Sequence, residues 1–393
     1  MQRSRDRILT THAGSLPRPS DLLEMIQAKA TGRAYDQDAY ATRVRRAVRE
    51  IVAKQAELGL DVVDDGEMGK PGFIPYVNER LSGFEPNRDA AGSPWSGSRE
   101  VRAFPEFYEW FARAMPSPAV RSLHMVCTGP IAYTGDKHVQ ADIENLKAAL
   151  ADTNADEAFI PSISPTSVED WQKNAYYKTD EEYLFAIADA MHEEYRAIVD
   201  AGLLVQIDDP HLATHYVSHP ELSVDQVRRW AEVRVEALNH ALRGLPRDKV
   251  RWHTCYGINI GPRVHDLELK HFVDVMLKIR AGAYSFEAAN PRHEHEWRVW
   301  EHVTLPAGAV LIPGTITQST VLVEHPELVA ERIVRFASVV GRENVIAGAD
   351  CGFATFAGSV EIHPSVVWAK FDALVEGARI ATKQLWGREP LAG

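Results

Sequence analysis

The chain has 393 residues, 45% of them hydrophobic and 25% charged, with a formal net charge of −12 at pH 7. Such a composition supports a substantial core, and the acidic balance excludes a nucleic-acid binder, which would carry a basic stripe. No apolar run reaches the roughly 18 residues of a membrane span.

The start, MQRSRDRILTTHAGS, has basic residues but neither the apolar segment nor the small-residue cleavage site of a secretory signal. Three cysteines, odd in number and sparse, fit a reduced compartment better than a disulfide framework. The cytoplasm is the expected location.

Along the chain, short apolar runs ending in polar or Gly/Pro breaks alternate with amphipathic helices. The strand candidates are ILTTHAG, LDVVDDGE, LHMVCTGPI, AFIPSISP, LLVQIDDP, VRWHTCYG, AYSFEAAN, VLIPGTI and NVIAGADCG. Most are apolar on both faces, as strands covered on both sides should be. After the first run, Val44, Val48, Ile51 and Val52 recur at helical spacing and Gly59 offers a C-terminal stop. A second helix opens at Thr179 and Glu182 with capping-box spacing and ends at Gly202, and a third covers SVDQVRRWAEVRVEALNHAL.

Repeated strand–helix alternation means parallel βαβ units, eight of which close a barrel. Nine candidates leave one too many. The surplus is expected between residues 85 and 131, a stretch rich in Pro, Gly and aromatics that reads as an excursion from the barrel. A doubly wound open sheet is the rival, but no G-x-G-x-x-G follows the first strand. The expectation is an α/β protein, a single elaborated (β/α)₈ (TIM) barrel over residues 1–393.

In such a barrel, function gathers where the strands end, and these ends are polar: Thr11, His12 and Ser15; Asp64, Asp65 and Glu67; Asp208 and Asp209; His253 and Cys255; Glu287; Asp350 and Cys351. Singly, each has an ordinary explanation. A carboxylate such as Asp65 or Asp209 can cap the next helix, and a buried cysteine such as Cys127 usually serves as a small hydrophobe. As a set they say more. Residues i and i+2 of a strand share a face, so His253 and Cys255 emerge side by side. With Glu287 and Cys351 from neighbouring strand ends, they make up a zinc ligand set of imidazole, carboxylate and two thiolates. A Cys–His nucleophile pair is the rival chemistry. It leaves the second cysteine without a role, and side-by-side placement suits co-ligation better than proton transfer.

With these residues assembled, the chain resembles the catalytic half of the cobalamin-independent methionine synthase family. The motifs run in order: TTHAGSLP, DDGE, QIDDP, HTC, the glutamate of YSFEAAN, and ADCG. The resemblance implies zinc bound by His253, Cys255, Glu287 and Cys351. It implies Ser15, Glu67 and Asp208 at the amino-acid end of a thiol such as homocysteine, and Trp171 stacked on a folate ring. Glu287 and Asp208 are the expected catalytic groups, Glu287 as the ligand that yields to the thiol. The implied reaction is methyl transfer from 5-methyltetrahydrofolate, or a related donor, to a zinc-bound thiolate. The alternatives are ring opening of the epoxyalkane:coenzyme M transferase kind, or demethylation of another donor. A barrel with purely structural zinc is the non-enzymatic alternative. The sequence departs from the family where a proton-donating histidine is expected: after VLIPGTI it reads TQSTVLVEHPE. The nearest histidine, His325, reads as the start of a surface helix, which leaves His12 and His265 as other sources of a proton. The family's N-terminal half has no counterpart in the motifs.

Overall fold

Eight of the nine apolar runs form one parallel sheet, because each is buried on both faces and each is followed by chain that returns along the outside. The computed structural model describes residues 1–87, 95–114, 124–257, 261–358 and 362–387. Its strands are β1 (Leu9–Thr10), β2 (Val62–Asp64), β3 (Phe84–Pro86), β4 (Met125–Cys127), β5 (Glu157–Ile163), β6 (Lys173–Asn174), β7 (Leu204–Asp208), β8 (Val250–Thr254), β9 (Ala283–Phe286), β10 (Val310–Ile316) and β11 (Ile346–Ala349). The large sheet has the order β1-β11-β10-β9-β8-β7-β5-β2. Its two ends meet: Asp61 N–H donates to Thr10 O at 3.2 Å, and the Thr11 hydroxyl donates to Val62 O at 2.9 Å. The fold is an α/β TIM barrel.

The helices follow their local signals. Gln37–Glu57 is capped by Asp36, and Gly59 takes the φ of +86° that ends it. Thr179 caps Asp180–Asp200 by accepting from Glu182 N–H at 3.1 Å. Val224–Ala241 has a full capping box of Ser223 and Gln226. His325 caps Pro326–Val340 from the surface.

The surplus run does leave the barrel. Strand β4 pairs antiparallel with β3 and parallel with β6 in a separate three-stranded sheet. Between β3 and β4 lie the helices Arg99–Ala103 and Pro105–Ala114. Residues 88–94 and 115–123 of the expected excursion fall outside the described residues.

Most of the core lies between sheet and helices. Two smaller apolar clusters, Leu9, Ala283, Val310, Ile312 and Ile346 in one, Val62, Phe159 and Leu204 in the other, come mainly from strand starts, and Met1 packs against both. Further along the strands the buried residues turn polar: Thr11, Asp64, Gln206 and Arg251. The apolar floor and polar upper layers set up the site.

Candidate metal and substrate site

At the ends of β8 and β11, His253, Cys255 and Cys351 each offer a ligand atom, and these atoms all lie within 4.8 Å of one another. All three residues are buried, and the two thiols are free, with the Cys351 Sγ 3.1 Å from the Cys255 Sγ. The contact with Cys255, reinforced by burial, pushes the Cys351 thiol up. Beside them, His253 Nδ1 bonds to the Ser285 hydroxyl at 3.0 Å, while Nε2 has no partner. Burial, with help from Arg251, holds His253 neutral by lowering its pKa to about 3. An unpartnered imidazole nitrogen beside two thiols is a soft donor set that fits a tetrahedral zinc ion, and a serine on the other ring nitrogen is the kind of support that fixes a ligand histidine.

These three residues line a cavity of about 110 Å³ at the barrel mouth, together with Ser15, Glu67 and Asp208. Glu67 adopts a φ of +56°, unusual for a residue with a side chain. Its backbone is fixed there: its N–H donates to Asp65 Oδ1 at 2.9 Å, and the Arg18 guanidinium donates to its carbonyl at 2.8 and 3.1 Å. Its Oε2 is buried with no partner. Burial, then the charge of Glu67, pushes the Asp208 carboxyl well above the usual range. Two carboxylates facing one small space, one of them with an orphaned oxygen, are chemically suited to a cation. Ser15 is packed so closely on the strand end after β11 that a Cβ at Gly352 would lie 2.0 Å from its Oγ.

Aromatic side chains complete the cavity: Phe73, Trp95, Trp171 and Phe356. Trp171 Nε1–H donates to His211 Nε2 at 3.1 Å, and His211 Nδ1 bonds to the Ser167 hydroxyl at 2.9 Å. The excursion brings Trp95 here. Its anchor is Glu100, whose carboxylate accepts from Arg263 N–H at 2.9 Å and His265 N–H at 2.7 Å. Phe73, Trp95, Phe356 and His211 were not anticipated from the sequence. The first three sit in loops without periodicity, and only His211, directly after QIDDP, stood beside a motif.

Other strand-end residues are used elsewhere. Asp209 accepts from the Ser164 hydroxyl at 2.8 Å and Trp252 Nε1–H at 3.3 Å, and its side chain makes no cap bond to the helix Pro210–Ser218. Asp65 likewise spends one oxygen on the Glu67 turn. His12 lies inside the barrel, with Nε2 on Gln55 Oε1 at 2.8 Å, and His265 is exposed. Thr317, Gln318 and Ser319 do not line the cavity, nor do His12 and His265. Cys127 is fully buried, as a small hydrophobe would be.

Glu287 is the one expected ligand outside the three-residue group. Its Oε1 accepts from Tyr256 N–H at 2.8 Å, and its Oε2 accepts from Asn290 Nδ2 at 2.8 Å and Arg292 at 2.7 Å. Asn290 also donates to Asp350 at 2.9 Å, and Asp350 is fastened by the N–H groups of Ala288 and Ala289. Burial pushes the Glu287 carboxyl up against the pull of Arg292.

Fold and rim define the class: a (β/α)₈ barrel with a thiol-rich site at the C-terminal ends of its strands. Residues 8–153 match the family described as cobalamin-independent synthase, catalytic domain. Methionine synthase of Thermococcus kodakarensis is 24% identical over 377 residues, 96% of this chain and 94% of that protein. That of Sulfolobus acidocaldarius is 28% identical over 249 residues, 63% of this chain and 61% of the relative. Among solved structures, a B12-independent methionine synthase from Shewanella sp. W3-18-1, in complex with selenomethionine, superposes with a TM-score of 0.72 at 22% identity, covering 97% of this chain and all of that one (100%). The chain is thus similar to methionine synthases of the cobalamin-independent kind, through the family match over residues 8–153 and these relatives.

Proposed function

We propose that the protein is a zinc-dependent methyltransferase that alkylates a small thiol, with homocysteine as acceptor and 5-methyltetrahydrofolate or a related donor supplying the methyl group. The observation that carries this reading is the convergence, in one cavity, of the His253–Cys255–Cys351 group with the Glu67–Asp208 carboxylates and the Trp171 ring. His253, Cys255 and Cys351 would hold the zinc, and Glu287 is the further ligand that the resemblance implies. Bound zinc supplies a deprotonated thiol near neutral pH, without redox chemistry of its own.

The chain's own groups bind and orient. An ammonium between Glu67 and Asp208 finds the unpartnered Oε2 and draws the raised Asp208 carboxyl back toward its charged form. That favours an amino-acid thiol over coenzyme M, whose sulfonate would meet two carboxylates. Trp171, steadied by His211, offers a ring on which a planar donor can stack, and Phe73, Trp95 and Phe356 keep water out. As the sulfur–methyl bond forms, the bond from the methyl carbon to the donor breaks, and the walls hold the two partners in line.

The test is to offer zinc-loaded protein homocysteine and methyl-labelled 5-methyltetrahydrofolate, and to weigh the products by mass spectrometry. Labelled methionine is the expected result. Alkylation of coenzyme M by an epoxide, with homocysteine left unreacted, would overturn the reading.

A further inference from the structure

The loop that follows β11 is sewn to the turn that carries Glu67. Arg18 spans the two: its guanidinium donates to the Glu67 carbonyl on one side and to the Ala354 carbonyl, at 2.8 Å, on the other. Further along, Gly72 and Phe356 form an antiparallel bridge, and Ala357 N–H donates to Pro71 O at 3.0 Å. Thr355 lies between these anchors and lines the cavity. It is only 8% exposed, and its hydroxyl oxygen is buried without a partner. A buried hydroxyl that bonds to nothing is unfavourable until something entering the site meets it.

The chemistry of the cavity says what that is. No described residue lining it is a lysine or an arginine. An amino-acid thiol carries its carboxylate on the same carbon as its ammonium, so the carboxylate has to be met by neutral donors close to Glu67. Of the hydroxyls that line the cavity, that of Thr214 donates to Pro210 O at 3.1 Å within its own helix. His211 has both ring nitrogens engaged, by Trp171 and Ser167. Ser15 and Thr355 remain, and both stand at the seam, where Phe353 N–H donates to Ser15 O at 2.9 Å. A hydroxyl gives a carboxylate a charge-assisted bond and adds no net charge. It therefore does not compete with the ammonium for Glu67 and Asp208.

We propose that Thr355 binds the carboxylate of the acceptor, beside Ser15, and so makes the site selective for an α-amino-acid thiol over a plain aminothiol. This rests on the reading of the Glu67–Asp208 end as the amino-acid pocket. A site built to hydrogen-bond a substrate group discriminates against the analogue that lacks it.

Isothermal titration calorimetry of the zinc-loaded protein compares homocysteine with 3-aminopropanethiol, which is homocysteine without its carboxylate. The unaltered protein is expected to bind homocysteine about tenfold or more tightly than the aminothiol, as a hydrogen bond to a charged group would give. Thr355→Val keeps the shape and removes the hydroxyl. Homocysteine affinity should then fall about tenfold, while that for 3-aminopropanethiol stays within about twofold. Thr355→Ser keeps the hydroxyl and should match the unaltered protein for both thiols, whereas Glu67→Gln should weaken both alike. Unchanged homocysteine affinity in Thr355→Val, or an equal loss for the two thiols, would overturn the inference. So would a Thr355→Val protein that binds both thiols normally and shows a raised KM for the methyl donor alone. If Thr355→Val does not fold, Thr355→Ala with the same two thiols decides the matter by the same criteria. Binding of neither thiol by the unaltered protein would remove the amino-acid reading, and the inference with it.

Discussion

Glu67 joins a left-handed backbone to an orphaned carboxylate oxygen, and both features point its side chain's function outward into the cavity. Glu67→Gln keeps the shape and removes the charge. Loss of one partner from a buried charged pair costs about 2–5 kcal/mol, so the KM for homocysteine should rise about 30-fold or more while zinc content stays at one per chain. An unchanged KM would mean that the amino group docks elsewhere. His12 offers a different reading of buried charge. Its Nδ1 accepts from Gly14 N–H at 3.2 Å while Nε2 faces Gln55 Oε1, so it is held neutral, with burial lowering its pKa to about 4. The unfolded chain takes up that proton below the ordinary value of about 6.5. The stability His12 contributes is therefore complete above pH 6.5 and is lost as the pH falls toward 4. The difference in unfolding free energy between the natural protein and His12→Gln should shrink by roughly 3 kcal/mol between pH 7 and pH 4, measured by urea denaturation. A pH-independent difference would contradict the assignment. At this scale the sequence was most informative where chemistry and period coincided. His253 and Cys255 share a strand face because the strand repeat is two. Nothing local showed that Arg292, five residues beyond Glu287, would take its carboxylate.

The eight barrel strands were legible because burial on both faces writes a continuous apolar run, and the helix Asp180–Asp200 because Thr179 caps where its spacing to Glu182 says it should; Asp36 and Ser223 were seen as caps only in the structure. Strands β3 and β6 were not, since three and two residues carry no period. The excursion was visible only as a surplus, and its role in walling the cavity came from a long-range contact. That contact is Glu100, buried against Arg263 and His265. Glu100→Ala leaves two backbone donors without a partner, at a cost of about 1–3 kcal/mol for each one left unsatisfied. Hydrogen exchange at residues 95–103 should speed up, and homocysteine binding should weaken severalfold as Trp95 loses its support. Unaltered exchange there would show that the excursion is held by other means.

For the whole molecule, a metal held by His253, Cys255 and Cys351, drawn from two strand ends, would bind the folded state alone. An ion at 100 times its dissociation constant adds about 2.7 kcal/mol to stability, which for a chain of this length moves the melting temperature by roughly 3 °C. Chelation should remove that increment in calorimetry, and Cys351→Ser should abolish the response to zinc. An unchanged midpoint after chelation, with the metal demonstrably gone, would detach the site from the fold.

The first and last barrel strands, β1 and β11, pair side by side, and Cys351 follows shortly after β11. A chain emerging from the ribosome therefore presents His253 and Cys255 long before their third companion. Until residue 351 clears the exit tunnel, the nascent protein offers at most a two-point hold on any ion. On the proposed reading, acquisition of the metal would thus be a late event in biosynthesis, and a ribosome stalled before that codon would display a chain that cannot yet be charged.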